Sequence, residues 1–317
     1  MKDTGIYWWL FFFGLITFLL IIDLFVVYRK NRTVTLKYAL LETAGWIIVS
    51  LAFNLLIYYQ MGTVKAIEFT TAYLIEKSLS IDNLFVFMII FSYYRVPDKL
   101  QHGVLFWGII GSIVMRAVFI FLGIELIERF EYILYLMGLI IIYAGIQFLR
   151  NKEFKADPKN NFAVKLTRRI FPVMKNYSGT RYLILRQGKL FITPLFIVLV
   201  VIESTDIVFA LDSVPAVLGI SRDPFIVYTS NIFAILGLRA LYFALAGVMS
   251  MFHLLKYGLG LILIFIGLKI LLEHYVQIDI MVSLAVILTI FAGSLLLSFL
   301  IKPAPNTVNY LKSNENT

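Results

Sequence analysis

The chain contains no cysteine and only three histidines among its 317 residues. Without cysteine it forms no disulfide, no thiolate metal site and no thiol nucleophile, and its redox compartment stays undetermined. The histidines, His102, His253 and His274, fall at the ends of predicted membrane spans and not at their centres. Because soft metal ions prefer thiolate and imidazole ligands, this composition disfavours Zn²⁺ or Cu⁺ as a preferred substrate.

A glycine-rich phosphate-binding motif is also missing from the sequence. Nucleotide hydrolysis is therefore not expected as a source of energy for this protein. We predict that the protein is not an enzyme, that it has no catalytic residues and that it holds no cofactor.

Charged residues make up 15% of the chain, whereas hydrophobic residues make up 61% and the mean hydropathy is +0.89. These values are typical of polytopic membrane proteins. A helix needs about 20 apolar residues to cross the hydrocarbon core of a bilayer. We therefore predict an all-α polytopic membrane protein with about nine transmembrane helices. The predicted spans are 6–27, 39–59, 68–93, 103–124, 130–149, 190–213, 225–249, 256–272 and 277–301.

The net charge of +9 is concentrated in one long loop at 151–189. Basic loops of membrane proteins stay in the cytoplasm, so this pattern predicts an outside N-terminus and a cytoplasmic C-terminus. We interpret the basic residues as orientation signals that also contact anionic lipid, and nucleic-acid binding is not expected. The polar tail at 302–317 is predicted to be disordered.

Two predicted spans carry acids where the bilayer makes charge expensive. They read LIEKSLSIDNLFVF at 74–87 and VIESTDIVFALDSV at 201–214. A charge at the bilayer centre costs about 2.5–3.5 kcal/mol on insertion scales, so such residues usually belong to an ion or proton path. The candidate metal ligands are therefore the acids of these stretches together with one asparagine: Glu76, Asp82, Asn83, Glu203, Asp206 and Asp212.

The two acidic spans belong to an internal repeat. Asp82 matches Asp206 at a distance of 124 residues, and Arg116 matches Arg239 at 123 residues. GLIIIYAGIQFL at 138–149 matches GLILIFIGLKIL, which begins 122 residues later. Each copy contains three predicted spans, and an odd number gives the second copy the opposite orientation in the membrane. Such inverted repeats are common in transporters, which bind their substrate near the midplane between the two copies.

The repeat divides the chain into six predicted regions. The two repeats form a core of three plus three helices, and the other helices are additions around it. The regions are two N-terminal helices at 1–65, the first repeat at 66–150, the basic cytoplasmic loop at 151–189, the second repeat at 190–275, a final helix at 276–301 and the tail at 302–317.

Helical spacing limits how these acids can meet. Asp82 lies six residues after Glu76, and Asp212 lies six residues after Asp206, which is about 240° around a regular helix. A straight helix therefore cannot direct both acids of a pair at one point. Either the helices unwind locally, for which Pro215 favours a break at the outer end of the sixth span, or the acids serve two different steps.

Carboxylate, amide and hydroxyl oxygens are hard ligands, which suit Mn²⁺, Ca²⁺ or Mg²⁺. The two arginines have a structural alternative, in which they neutralise the acids as buried pairs that fix helix packing. Asp23 in the first span and Glu42 at the start of the second are open between a structural and a functional role. The supporting residues of the predicted site are Ser80, Lys77, Arg116 and Arg239.

Four segments between Asp23 and about Leu272 resemble the TerC family of membrane proteins, which includes the pH-responsive Alx branch. They are YLIEKSLSIDNLFVF, VPDKLQHGVLFWGIIGSIVMRA, TPLFIVLVVIESTDIVFALDSVPAV and SRDPFIVYTSNIFAILGLRALYF. The resemblance implies manganese homeostasis, with Mn²⁺ efflux at the bacterial cytoplasmic membrane foremost, and a distant kinship with the lysine-exporter superfamily. It places the family's acidic motifs on the six candidate ligands. Tellurite resistance does not follow from them, because an acidic path repels an oxyanion.

The leading hypothesis is a transporter that loads a divalent cation from the cytoplasm at midplane carboxylates and releases it outward past Asp212. Inward proton flux is the expected driving force, since carboxylates that release a cation accept protons. The alternative is a membrane assembly or regulatory partner that senses metal or pH without moving ions. A small-organic-solute exporter is a third hypothesis. The expected partners are a divalent cation, membrane lipid and, in the alternative, other membrane proteins.

Overall fold

The protein is described by a computed structural model that covers most of the chain. The tail predicted to be disordered lies outside the described residues, as do His253 and His274. The description also excludes the side chains of 25–29, 82, 85 and 246. The described ranges are 5–29, 36–130, 132–150, 161–174, 176–186, 188–246, 254–272, 275–276 and 278–301.

The described part is almost entirely helical. One short antiparallel hairpin is formed by strands β1 (Leu183–Arg186) and β2 (Lys189–Ile192). The helices are α1 (Ile6–Arg29), α2 (Leu36–Met61), α3 (Thr63–Tyr93), α4 (Asp98–Arg129), α5 (Tyr132–Leu149), α6 (Phe162–Ile170), α7 (Pro194–Leu218), α8 (Pro224–Ile235), α9 (Leu238–Ala246), α10 (Leu255–Leu272) and α11 (Ile280–Leu300).

Within the described ranges, eight helical segments are long and apolar enough to cross a membrane. They are α1, α2, α4, α5, α7, α8 joined with α9, α10 and α11. Helix α3 is also long, at 31 residues, but it carries charged residues along its length, including Glu76 and Lys77. The predicted fold class, an all-α polytopic membrane protein, is confirmed. The count of nine spans and the inverted repeat stay predictions.

Helices α5 and α10 cross in backbone contact through four glycines. A Cβ atom on Gly145 would lie 2.7 Å from the carbonyl oxygen of Gly260, and one on Gly267 would lie 2.7 Å from that of Gly138. Small residues allow membrane helices to approach this closely. Because the earlier glycine of α5 meets the later glycine of α10, the two helices run antiparallel. This is the relation that an inverted repeat predicts for two matching helices.

The two acidic helices each pack against the other predicted repeat. Helix α3 packs on α8, helix α7 packs on α4, and α3 and α7 also contact each other. Helices α1 and α2 add an aromatic layer outside this core, in which the rings of Phe53 and Phe233 lie 4.7 Å apart between centroids. The acids of α3 and α7 are therefore placed at the meeting point of the two predicted halves.

The helix break in this core lies between α8 and α9 and not at Pro215. Helix α7 continues through Pro215 to Leu218, so the predicted break in the sixth span is wrong. Pro215 lies in the last turn of this continuous helix, where it cannot donate the backbone hydrogen bond that a helical residue makes to the carbonyl four positions earlier. At the actual break, Gly237 adopts a φ of +81°. The side chain of Trp46 occupies the space that a Cβ would need there, as close as 2.7 Å, so only glycine fits.

The basic loop at 151–189 contains regular structure in its described part. Helix α6 packs on α7, and the hairpin follows it, with Leu185 opposite Leu190 in the register of the strands. The phenolic hydroxyl of Tyr177 donates a hydrogen bond of 2.8 Å to the carbonyl oxygen of Tyr94. This segment is therefore attached both to α7 and to the connection between α3 and α4.

Candidate cation site around Arg116

The centre of the site is Arg116 on α4, whose side chain is 1% exposed. Its Nη1 donates to a carboxylate oxygen of Glu76 on α3, to Oδ1 of Asn231 on α8 at 3.1 Å and to Oγ of Ser213 on α7 at 3.3 Å. Its Nη2 lies 3.5 Å from Oδ1 of Asp206 on α7. One guanidinium thus joins four helices and contacts one carboxylate from each predicted repeat.

The two carboxylates of this site are held differently. Glu76 is fully buried, and its second oxygen accepts a hydrogen bond of 3.0 Å from Nδ2 of Asn231. Asp206 is also buried, but its Oδ2 has no hydrogen-bond partner within the described part of the chain. Buried carboxylate oxygens normally have a partner, and leaving one without costs free energy. Asp206 is therefore the acid of this site with capacity for a ligand.

A small cavity adjoins Asp206. Its volume of about 10 Å³ gives room for about one water molecule or one small ion. Its lining includes the polar residues Asp206, Asn83 and Ser112, whose side chains contain oxygens of the kind that suits a hard cation. The remaining lining residues are Arg239 and the apolar side chains around it: Phe87, Leu105, Gly108, Ile109, Ile202, Ile235 and Leu238.

The six predicted ligands do not converge on one point. Over the described residues, no group of three or more histidine, aspartate or glutamate side chains is close enough to hold a metal ion. Glu203 packs its carboxylate against Gly111 on α4, in the space that a Cβ would occupy, and Asp212 does not line the cavity. Because α7 is a continuous helix, Asp206 and Asp212 face different directions. Asp82 lies in the equally continuous α3, and its side chain is outside the description.

Among the supporting residues, Lys77 binds backbone carbonyls at the break between α8 and α9, and Ser80 is buried. The ammonium of Lys77 donates to the carbonyl oxygens of Ala234 and Leu236, at 3.0 and 3.4 Å. These carbonyls belong to the end of α8, where the break leaves backbone acceptors without helical partners, and a cation there also interacts favourably with the helix dipole. Lys77 therefore caps α8. The hydroxyl of Ser80 has no hydrogen-bond partner among the described atoms.

Arg239 on α9 forms a second buried network with helices outside the predicted repeats. Its Nη2 donates to Asp23 on α1 at 2.5 Å and to Glu42 on α2 at 2.6 Å. Its Nη1 is buried without a partner in the described structure, and the side chain lines the cavity beside Asp206. Both arginines thus contact buried acids, as the structural alternative for them expected.

Sequence reasoning missed Asn231 and Ser213. Both are polar residues inside predicted spans, which is the signal that could have found them. Asn231 donates to Glu76 and accepts from Arg116, so it orients both charged groups. The acids drew attention first because a formal charge is a stronger signal than an amide or a hydroxyl.

Comparison with known proteins finds relatives whose names describe membrane proteins. An uncharacterised membrane protein of Rickettsia bellii is 45% identical over 89% of this chain and 93% of its own length. One of Myxococcus xanthus is 39% identical over 92% of both chains. A protein of Escherichia coli O6:H1, Alx, whose name proposes a membrane-bound redox modulator, is 39% identical over 92% of this chain and 93% of its own.

No solved structure matches this chain significantly. The profile of the integral membrane protein TerC family matches residues 61–306, which include α3 to α11 and both arginine networks apart from Asp23 and Glu42. The chain belongs to the TerC family of integral membrane proteins.

Proposed function

We propose that the protein is a transporter, and not an enzyme, that exports divalent metal cations from the cytoplasm, with Mn²⁺ as its principal substrate. The observation that carries the proposal is the buried Asp206, whose Oδ2 has no partner among the described atoms and whose side chain belongs to the lining of a cavity of ion size. A carboxylate without a partner at this depth is costly unless an ion or a proton occupies it at some step.

The chemistry around Asp206 favours a hard dication. Asn83 and Ser112 line the same cavity and add neutral oxygens, which are ligands of Mn²⁺, Ca²⁺ and Mg²⁺. Manganese is the ion that the family resemblance implies. The same resemblance supports the bacterial cytoplasmic membrane as its location.

Arg116 has a defined part in this proposal. In the described arrangement its guanidinium compensates Glu76 and approaches Asp206, so the site carries one excess negative charge. A dication that binds Asp206 must compete with Arg116, which keeps the affinity moderate and allows release. Arg116 joins two buried acids, Glu76 and Asp206, and each belongs to a different predicted repeat. This arrangement also suits alternating access, in which the two repeats move about a site at the midplane.

Glu203 and Asp212 flank Asp206 along α7 and extend the path in both directions. Glu203, three residues earlier, lies toward the predicted cytoplasmic end of α7, and Asp212 lies toward the opposite end. We propose that the ion passes Glu203 on entry and Asp212 on exit, while protons move inward on the emptied carboxylates.

The test is Mn²⁺ flux into vesicles containing purified protein and an internal Mn²⁺-sensitive dye, at two values of external pH. Asp206→Asn keeps the size of the side chain but removes its charge, so transport should fall about 10- to 100-fold. Asp98→Asn is the matched control, because Asp98 is exposed in the first turn of α4 and away from the cavity. Equal flux through parent, Asp206→Asn and protein-free vesicles would refute export.

One observation favours a second function, a metal or pH sensor that regulates a membrane partner. The Glu76–Arg116 pair is closed and internally compensated, as in a stable structural element. The sensor describes the protein better than the exporter if two results are found together. Mn²⁺ shifts the unfolding temperature of the parent but not that of Asp206→Asn, and neither of these two proteins transports Mn²⁺.

A further inference from the structure

Helix α6 presents an apolar stripe away from the protein. Phe162, Leu166 and Ile170 are spaced four residues apart, so they lie on one face of the helix. They are 78%, 47% and 60% exposed, which leaves almost the whole stripe outside the packed core. We call these three residues the α6 stripe. A stripe of this kind on a helix attached to a membrane protein needs an apolar environment to cover it.

The flank of the α6 stripe is basic. Lys165, Arg168 and Arg169 follow one another around one side of the helix, and all three are exposed. An apolar face bordered by lysine and arginine is typical of helices that lie in the headgroup region of a membrane, with their apolar side in the acyl boundary. The positive charges match anionic phospholipid headgroups.

The opposite face of α6 is fixed to α7. Val164 is buried, and the side chain of Asn161 accepts from its backbone nitrogen at 3.2 Å as the N-cap. The same side chain donates a hydrogen bond of 2.7 Å to Oγ of Ser204 on α7. Because α7 is one of the candidate membrane spans, this attachment keeps the α6 stripe at the side of a membrane-spanning helix.

The hairpin repeats the composition of α6. Leu183, Leu185 and Leu190 are exposed, and Leu185 stands opposite Leu190, so the strands share an apolar face. Arg186 and Lys189 form the pair at its tip. Two independent elements of the same segment thus combine exposed leucine or phenylalanine with flanking basic residues.

We infer that α6 and the hairpin form a docking surface for anionic phospholipid, with the apolar side chains in the acyl boundary and the basic side chains on the phosphates. A nucleic acid would match the charge but would leave the apolar stripe exposed to water. The docking surface does not depend on the proposed transport. It does place α6 where lipid binding would hold Asn161 against Ser204, the residue next to Glu203.

The absence of cysteine from the sequence makes a direct test simple. Leu166→Cys carries one environment-sensitive fluorophore on the α6 stripe, and Thr167→Cys carries it at a half-buried position nearer to Val164, on the side toward α7. The full chain is reconstituted in phosphatidylcholine vesicles with or without phosphatidylglycerol. Quenching by a nitroxide on the lipid chains and by aqueous iodide then reports where the label lies.

In vesicles with phosphatidylglycerol, the label at 166 should be quenched by the lipid nitroxide and protected from iodide, and the label at 167 should respond less. Arg168→Gln with Arg169→Gln should weaken docking by about fivefold for each charge removed. Lys99→Gln with Arg129→Gln removes the same charge from exposed positions elsewhere and should leave docking unchanged.

Full iodide access at 166 in both lipid mixtures would overturn the inference. Protection that follows the protein-to-lipid ratio and ignores lipid charge would also overturn it, because it would assign the surface to a second copy of the chain. Melting temperatures of the double variants, compared with the parent, separate a loss of docking from a loss of folding.

Discussion

Arg116 and Arg239 occupy matching positions of the sequence repeat, yet they bind acids of different origin. Arg116 contacts Glu76 and Asp206, which belong to the two predicted halves of the core. Arg239 contacts Asp23 and Glu42, which belong to helices α1 and α2 added before the repeat. The first network therefore joins the halves to each other, whereas the second joins the core to its N-terminal addition.

The neutral partners of the two arginines differ as well. Arg116 also donates to Asn231 and Ser213, so its partners lie on three other helices, α3, α7 and α8. The described structure gives Arg239 two carboxylates and leaves its Nη1 without a partner beside the cavity. Each guanidinium keeps one buried nitrogen without a partner among the described atoms, Nε in Arg116 and Nη1 in Arg239. The difference lies in the acceptors, because Arg116 contacts two carboxylates and two neutral side chains, whereas Arg239 contacts two carboxylates. Two positions that match in the sequence thus make different contacts in the structure.

The largest effect is expected from Arg116→Met. This change leaves Glu76 buried without its cation, and the free energy of unfolding in detergent should fall by about 3–5 kcal/mol. The double variant with Glu76→Gln removes both charges and should regain part of that loss. If the double variant is no more stable than Arg116→Met, the ion pair is not the source of the effect.

Arg239→Met should have a smaller effect, about 2–3 kcal/mol, because the side chains of Asp23 and Glu42 are less completely buried than that of Glu76. The loss should act locally by loosening α2 from α9. Thr43→Cys, introduced next to Glu42 in the cysteine-free chain, should then react faster with a maleimide than it does beside an intact Arg239. An unchanged labelling rate would mean that the network does not hold α2.

The same two variants also separate function from packing. Among molecules that remain folded, Arg239→Met should keep more of the Mn²⁺ flux than Arg116→Met keeps, because only Arg116 contacts the proposed ligand Asp206. Flux measured per folded protein checks this order. The reverse order would shift the proposed site toward Arg239.

The smallest effect is expected from Ser213→Ala, at about 1 kcal/mol, since it removes one neutral acceptor at 3.3 Å from Arg116. Thr229→Ala is a suitable control, because Thr229 is a buried hydroxyl of α8 that bonds only the backbone of its own helix. Equal unfolding curves for Ser213→Ala and the parent would show that the other partners alone fix Arg116.

The sequence predicted where the charged residues of the core lie but not which of them meet. Internal repeats and charges inside apolar spans can be read directly from the sequence, so Glu76, Asp206 and both arginines could be named in advance. Their contacts join residues that are far apart in the chain, such as Arg239 and Asp23 at 216 positions or Asn231 and Glu76 at 155. Such pairings depend on how whole helices pack, which a single sequence does not encode locally.

The position of the helix break shows the same limit. Proline was the stronger local signal, yet α7 continues through Pro215 to Leu218. Gly237 breaks the next span because Trp46, 191 positions earlier in the chain, needs the space of its missing side chain. The ammonium of Lys77, on α3, then donates to backbone carbonyls that the break leaves without helical partners.

The glycine crossing of α5 and α10 restricts how these two helices can move past each other. Ile142 and Ile264 stand beside the four glycines, each pressed against a glycine of the other helix. Sliding one helix along the other would drive these isoleucines into the opposite backbone, whereas a small rotation about the contact keeps every glycine in place. If one predicted half of the core rotates against the other, the crossing of α5 and α10 would serve as the pivot. The Arg116-bound acids of α3 and α7 would then move relative to each other.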